Sequence, residues 1–142
     1  MEPTVKNGGA NSIATAFGTS KEKEEQGVWF SGPKGQRYLI ARQGNDAFTK
    51  LAGILTKPHR RLIEKGLADP ELLRDITAEV TAKTLLLDWD EVKGEDGKPL
   101  PYTWQIGKAM LVEFKDFADF VAGCSTSVAS YQDEEQRAAA GN

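Results

Sequence analysis

The chain has one cysteine, one histidine and two methionines among 142 residues, and each scarcity excludes something. A lone Cys124 cannot form an intramolecular disulfide. A single histidine, His59 in Lys57-Pro58-His59-Arg60-Arg61, leaves no ligand set with the spacing of a zinc site, and its cationic neighbours would repel a divalent ion. No apolar run approaches the roughly 20 residues that a membrane helix needs. No charged leader followed by an apolar core and a small-residue cleavage site opens the chain, so a reducing cytoplasm is the expected compartment. Charge of one sign is also lacking: the formal net charge is -3, and acids and bases alternate through most of the sequence. No whole-chain field draws in nucleic acid or an anionic membrane.

Catalytic signatures are equally sparse. No nucleophile-elbow motif surrounds Cys124 or any serine, and Cys124 falls on a helical apolar stripe, where a thiol is a small core residue. Gly32, Gly35 and Gly44 are spaced as turn residues and do not form a phosphate-binding loop. The acids Asp88, Asp90, Glu91, Glu95 and Asp96 invite comparison with a calcium loop. Counting from Asp88 puts Val92, Lys93 and Pro99 where such a loop needs an oxygen ligand, a glycine and a bidentate glutamate. The match fails, and the stretch reads as a solvated turn. Asp133, Glu134 and Glu135 read as surface residues of a polar terminal helix. The expectation is a protein that is not an enzyme and holds no cofactor.

What is present is helical periodicity with one small β segment. Residues 1–11 read as an unpacked tail, 12–132 as a single α+β domain, and 133–142 as a fraying C-terminal tail. Thr19 or Ser20 caps a short acidic helix ending at Gly27. Val28-Trp29-Phe30 and Arg37-Tyr38-Leu39-Ile40-Ala41, joined by Ser31-Gly32-Pro33-Lys34-Gly35, predict a β-hairpin. A lone hairpin is marginal in water, so it needs a helix on one face or another strand at its edge. Asn45 caps a helix with Phe48, Leu51, Ala52 and Leu55 on one stripe, interrupted at Pro58, which can start a short second piece from His59 to Lys65 that Gly66 would end. Asp69-Pro70-Glu71 is a strong helix start, with Leu72, Ile76, Val80, Thr84 and Leu87 following at helical spacing. The expected architecture is mostly α-helical with a small N-terminal hairpin.

The most informative stretch is Leu85-Leu86-Leu87-Asp88-Trp89-Asp90-Glu91-Val92, continued by Gly94-Glu95-Asp96-Gly97-Lys98-Pro99-Leu100-Pro101-Tyr102-Thr103. It reads as the end of a buried helix, a stop, a charged turn and a proline-stiffened piece that delivers Tyr102 to a new helix capped by Thr103. Trp89, Tyr102 and Trp104 bracket this polar loop, and rings of that size can clamp it in an ordered state. Beyond it, Ile106, Met110, Phe114, Phe117, Val121, Cys124, Val128 and Tyr131 keep a three-to-four residue repeat. An unbroken helix over 104–131 would extend about 40 Å. A break near Lys115-Asp116, with Asp116 as a new cap, is the other reading.

Taken with Phe17-Gly18-Thr19-Ser20-Lys21-Glu22, Gly27-Val28-Trp29-Phe30 and Ile40-Ala41-Arg42-Gln43-Gly44-Asn45, the loop segment resembles the tail assembly chaperones of long-tailed bacteriophages and prophages. The matching segments lie in the same order between residues 12 and 120. The resemblance implies a protein that binds the long helical tape measure protein and keeps its apolar segments from aggregating. It further implies help in recruiting tail tube subunits, action in the cytoplasm of the infected or lysogenic host, and absence from the finished virion. A frameshift-extended form of the chain belongs to the same expectation, whereas a homo-oligomer is expected from the hairpin's open edge, through which the sheet could self-associate. No motif residue of that family has a contact role to carry over, so the candidate partner-binding residues are chosen physically: Trp89, Tyr102 and Trp104, with Phe117 and Phe120 as a helical extension. The alternative for the same rings is that they fill the core.

Three rivals share these features. They are a structural component of a tail or connector, a DNA-binding regulator using Lys57, His59, Arg60, Arg61 and Lys65, and an inhibitor of a host protein. Against DNA, the helix after the basic patch opens with Asp69, Glu71 and Asp75, where a recognition helix should meet phosphates.

Overall fold

A computed structural model describes residues 12–132. The two predicted tails, 1–11 and 133–142, lie outside the described residues. Two short helices open the chain, α1 (Ile13–Phe17) and α2 (Lys21–Gln26). Ser20, the second of the two predicted caps, accepts the Lys23 amide at 3.3 Å. Gly27 stops α2 at φ +82°, where a side chain would be strained and would also press on the Ile40 backbone.

The predicted hairpin forms as β1 (Val28–Ser31) and β2 (Arg37–Ile40), antiparallel with Val28 opposite Ile40 and Ser31 opposite Arg37. The two-residue period sets its faces. Val28, Tyr38 and Ile40 are buried, whereas Trp29 and Arg37 point away, with the guanidinium 4.9 Å over the indole.

The hairpin's need for further support is met by a third strand, and here the sequence reading is corrected. The Leu85–Val92 stretch is not the end of a helix. The central helix α5 (Pro70–Thr84) stops at Leu85, and β3 (Leu86–Asp90) pairs antiparallel with β2 in the order β1-β2-β3. Trp89 stands opposite Tyr38 and Asp90 opposite Arg37, with a register shift that leaves Leu87 as an extra residue. A leucine run is compatible with either structure. The free edge of β2, extended by the Ala41 amide donating to the Leu85 carbonyl at 2.7 Å, selects the strand.

Helix α3 (Asp46–Thr56) ends just before Pro58, and a 3-10 turn at Lys57–His59 leads into the short second helix α4 (Arg60–Glu64), with Gly66 at φ +70° beyond it. After the loop, α6 (Trp104–Glu113) and α7 (Lys115–Ser125) replace the single long helix. The break falls two residues before the predicted cap, Asp116. Phe114 takes extended dihedrals between the two helices, and Asp116 lies in the first turn of α7, where its charge suits the helix dipole. A further helical turn at 128–132 brings Tyr131 into the core. Helices α5, α6 and α7 pack on the Tyr38–Ile40 face of the sheet, and one cluster containing Tyr38, Ile40, Ala78, Ala82, Leu86, Trp89, Leu111 and Val121 joins them.

Candidate functional site

The loop after β3 is held at both ends by the rings that flank it. The Trp89 indole N–H donates to the Leu100 carbonyl at 2.7 Å, and the Tyr102 ring meets Trp89 edge-on with centroids 4.9 Å apart. The Tyr102 hydroxyl reaches the carbonyl oxygens of Ala82 and Leu86, tying the loop's end to the α5–β3 junction. That approach requires Gly107 on α6, because a Cβ there would sit 2.7 Å from the tyrosine ring. Burial, with a smaller contribution from the Asp88 charge, pushes the Tyr102 phenol well above its ordinary value. Within the loop, the Gly94 amide donates to Lys98 and the Leu100 amide to Val92, each at 2.9 Å, and Gly97 supplies the left-handed turn at φ +77°. Glu91 also sits at positive φ, +57°, a conformation that costs a non-glycine residue about 1 kcal/mol or more.

The five candidate residues do not share one surface. Trp89, Phe117 and Phe120 converge on Tyr38, at centroid distances of 6.4, 5.3 and 5.6 Å. Tyr102 joins them through Trp89. Trp104 stands apart beneath the Lys83 ammonium, 4.1 Å from its ring, and Lys83 also pairs with Glu79. Trp89 is 7% exposed, so its ring acts inside the molecule. What this cluster presents outward is an apolar hollow of about 210 Å³ between the loop and the α6–α7 joint, lined by Tyr38, Trp89, Val92, Leu100, Met110 and Phe117. Phe114 stands half-exposed at its edge.

A second surface hollow lies between α5 and α7, and no single sequence motif marks it. A trough of about 360 Å³ runs between α5 and α7. Small side chains make up much of its walls, Thr77, Ala78 and Thr81 from α5 and Ala118, Ala122 and Ser125 from α7, with Leu73 of α5 as the large exception. Leu85 and Leu111 contribute apolar lining, Phe48 reaches in from α3, and Arg74 and Asp119 supply its charges. The helical spacing of the small residues was there to be read, but two small-residue stripes form a groove only once their helices are set side by side.

Asn45 is the other residue whose role goes beyond its cap. It is buried, its side-chain carbonyl accepts the Phe48 amide at 2.9 Å, and its amide lies within 3.4 Å of the Glu24, Arg42 and Thr84 carbonyls. One side chain thus joins α2, α3 and the end of α5. Cys124 is half-buried, and burial pushes its thiol up to about 11. Among the described residues, no three His, Cys, Asp or Glu side chains come together to hold a metal ion. No helix among them is long and apolar enough to cross a membrane.

These features define a small α+β domain whose surface offers two apolar concavities beside a ring-clamped loop. The chain belongs to the YdaY prophage protein family, whose model matches residues 43–142. It is therefore a phage or prophage protein. The matched region begins just after β2 and runs beyond α7 to residue 142, so it takes in both walls of the trough and the whole loop, and it leaves out the β1–β2 hairpin. No curated protein and no solved structure matched the chain.

Proposed function

We propose that this prophage protein is a tail assembly chaperone that binds the tape measure protein and assists tail tube assembly, without catalysis. The observation that carries the reading is the trough between α5 and α7. Small side chains on both walls let a third helix approach closely, and an apolar lining rewards the nonpolar stripe of an amphipathic helix. A tape measure protein, long and helical, offers such stripes repeatedly. The ordered segments shared with tail assembly chaperones and the membership of a prophage family support the same reading. The protein then acts in the bacterial host's cytoplasm and leaves before the virion is complete.

The test is co-expression of the tagged chain with the tape measure protein encoded by its prophage, followed by affinity capture and analysis of mature particles. Recovery of the tape measure protein, with the chain absent from particles, supports a chaperone. A chain retained in purified particles is instead a structural component, and the proposal fails.

A further inference from the structure

The α3–α4 arm is built for a contact that the rest of the described chain does not make. None of the residues of α3, the 3-10 turn or α4 is buried, and α4 packs chiefly on the turn that precedes it. An isolated helix of five residues has little stability of its own, so its apolar residues are the means by which such a piece is held. Yet Ile54, Leu62 and Leu67 are 57%, 47% and 68% exposed. The side that faces the domain is carried by Phe48, Leu51 and Leu55, leaving these three exposed.

Cations alternate with them. Because the path from α3 to α4 stays helical apart from the 3-10 turn, positions three and four apart share a side; Ile54, Lys57, Arg61 and Lys65 follow that spacing, and Leu62 lies next to Arg61. Among the described residues, neither these cations nor Arg60 makes an ion pair, although the chain has a surplus of acids. Four unpaired cations, outnumbering the single acid Glu64 among them and interleaved with exposed aliphatic side chains, are complementary to carboxylates set among apolar side chains.

We infer that this arm is a docking surface for an acidic amphipathic helix of a partner protein, a contact separate from the α5–α7 trough and independent of what the trough binds. Nucleic acid fits less well, since phosphates give the three exposed aliphatic side chains nothing to bury, and Asp69 and Glu71 follow directly after the arm. A membrane fits less well too, because interfacial helices bury far more apolar area than this short element offers.

The full chain would be titrated with a fluorescent helical peptide of about 20 residues built from glutamate and leucine, with a lysine-for-glutamate version, a short DNA duplex and phosphatidylserine vesicles in parallel. The glutamate peptide should bind, lose about tenfold in affinity between low and high salt, and lose binding with either R60Q/R61Q or L62S/L67S. All four positions are exposed, and unchanged circular dichroism and melting temperature would show that these variants still fold. Failure of the glutamate peptide to bind, equal binding of the lysine peptide, or recruitment of DNA or vesicles through the same residues would overturn the inference. So would salt-sensitive self-association in the ultracentrifuge that these variants abolish, since the occupant would then be a second copy.

Discussion

The indole N–H of Trp89, at the end of β3, donates to the carbonyl of Leu100 at 2.7 Å and so closes the acidic loop onto the sheet. This bond links a strand residue that faces the core to a loop residue eleven positions later. It gives a segment rich in Asp, Glu and Gly a fixed attachment to the sheet.

Trp89→Phe keeps an apolar ring and removes the donor. The Leu100 carbonyl then loses its partner in a half-buried setting, and the fold should lose about 1–3 kcal/mol. Hydrogen exchange is the sensitive readout. The Leu100 amide, bonded to Val92, should exchange faster by a factor of ten or more relative to amides of α5. Uniform acceleration across the whole domain would mean that the bond supports global stability and not the loop.

Gly107→Ala tests the other side of the same clamp. Its Cβ would lie 2.7 Å from the Tyr102 ring and 2.9 Å from its hydroxyl oxygen, too close for either to remain. Alanine is ordinarily the better helix former, so propensity alone would stabilise α6 by about 1 kcal/mol. Overpacking against a buried ring costs roughly 1–3 kcal/mol and should win. A denaturant midpoint that rises on substitution would show that Tyr102 can move aside freely.

Stability should fall at alkaline pH. Burial raises the phenols of Tyr102 and Tyr131 above their ordinary value of 10.0, and both must stay protonated to donate to main-chain carbonyls. Cys124, raised from 9.0 to about 11, acts in the same direction. A folded-state value above the unfolded one gives stability that is complete below the unfolded value and is lost as pH rises beyond it. The melting temperature should therefore be flat up to about pH 9 and decline from there upward, the tyrosines contributing above pH 10. Tyr131→Phe removes one donor, to the Ile40 carbonyl at 2.8 Å, and should flatten part of that decline while lowering stability at neutral pH.

Ala122→Trp would fill the α5–α7 trough from an exposed position on α7. The melting temperature should change little, because surface substitutions typically stay within about 0.5 kcal/mol. Capture of the tape measure protein should drop at least about tenfold, the consequence of losing roughly 1.4 kcal/mol of contact. Unaltered capture would place the contact elsewhere on the domain.

Much of the fold was legible because its signals are local. Asn45, Asp69 with Pro70, and Thr103 all cap helices as their side chains predict, since a cap bond spans only two or three residues. The hairpin was legible for the same reason: strand-forming side chains flank a glycine–proline turn. β3 was not. Its leucines satisfied a helical stripe, and only the free edge of β2, nearly fifty positions earlier in the chain, decides otherwise. The candidate rings were legible as a clamp, yet Tyr38, the residue on which Trp89, Phe117 and Phe120 converge, was read only as a strand former.

The sequence by itself determined the starts of α2, α3, α5 and α6, the hairpin and the ring-bracketed loop, because caps, turns and side-chain periods act within a few residues. The third strand, the two apolar concavities and the exposure of the α3–α4 arm were decided only by the tertiary structure. Edge pairing and groove formation depend on which distant surfaces meet, and a surface is left open only when the rest of the chain has finished packing.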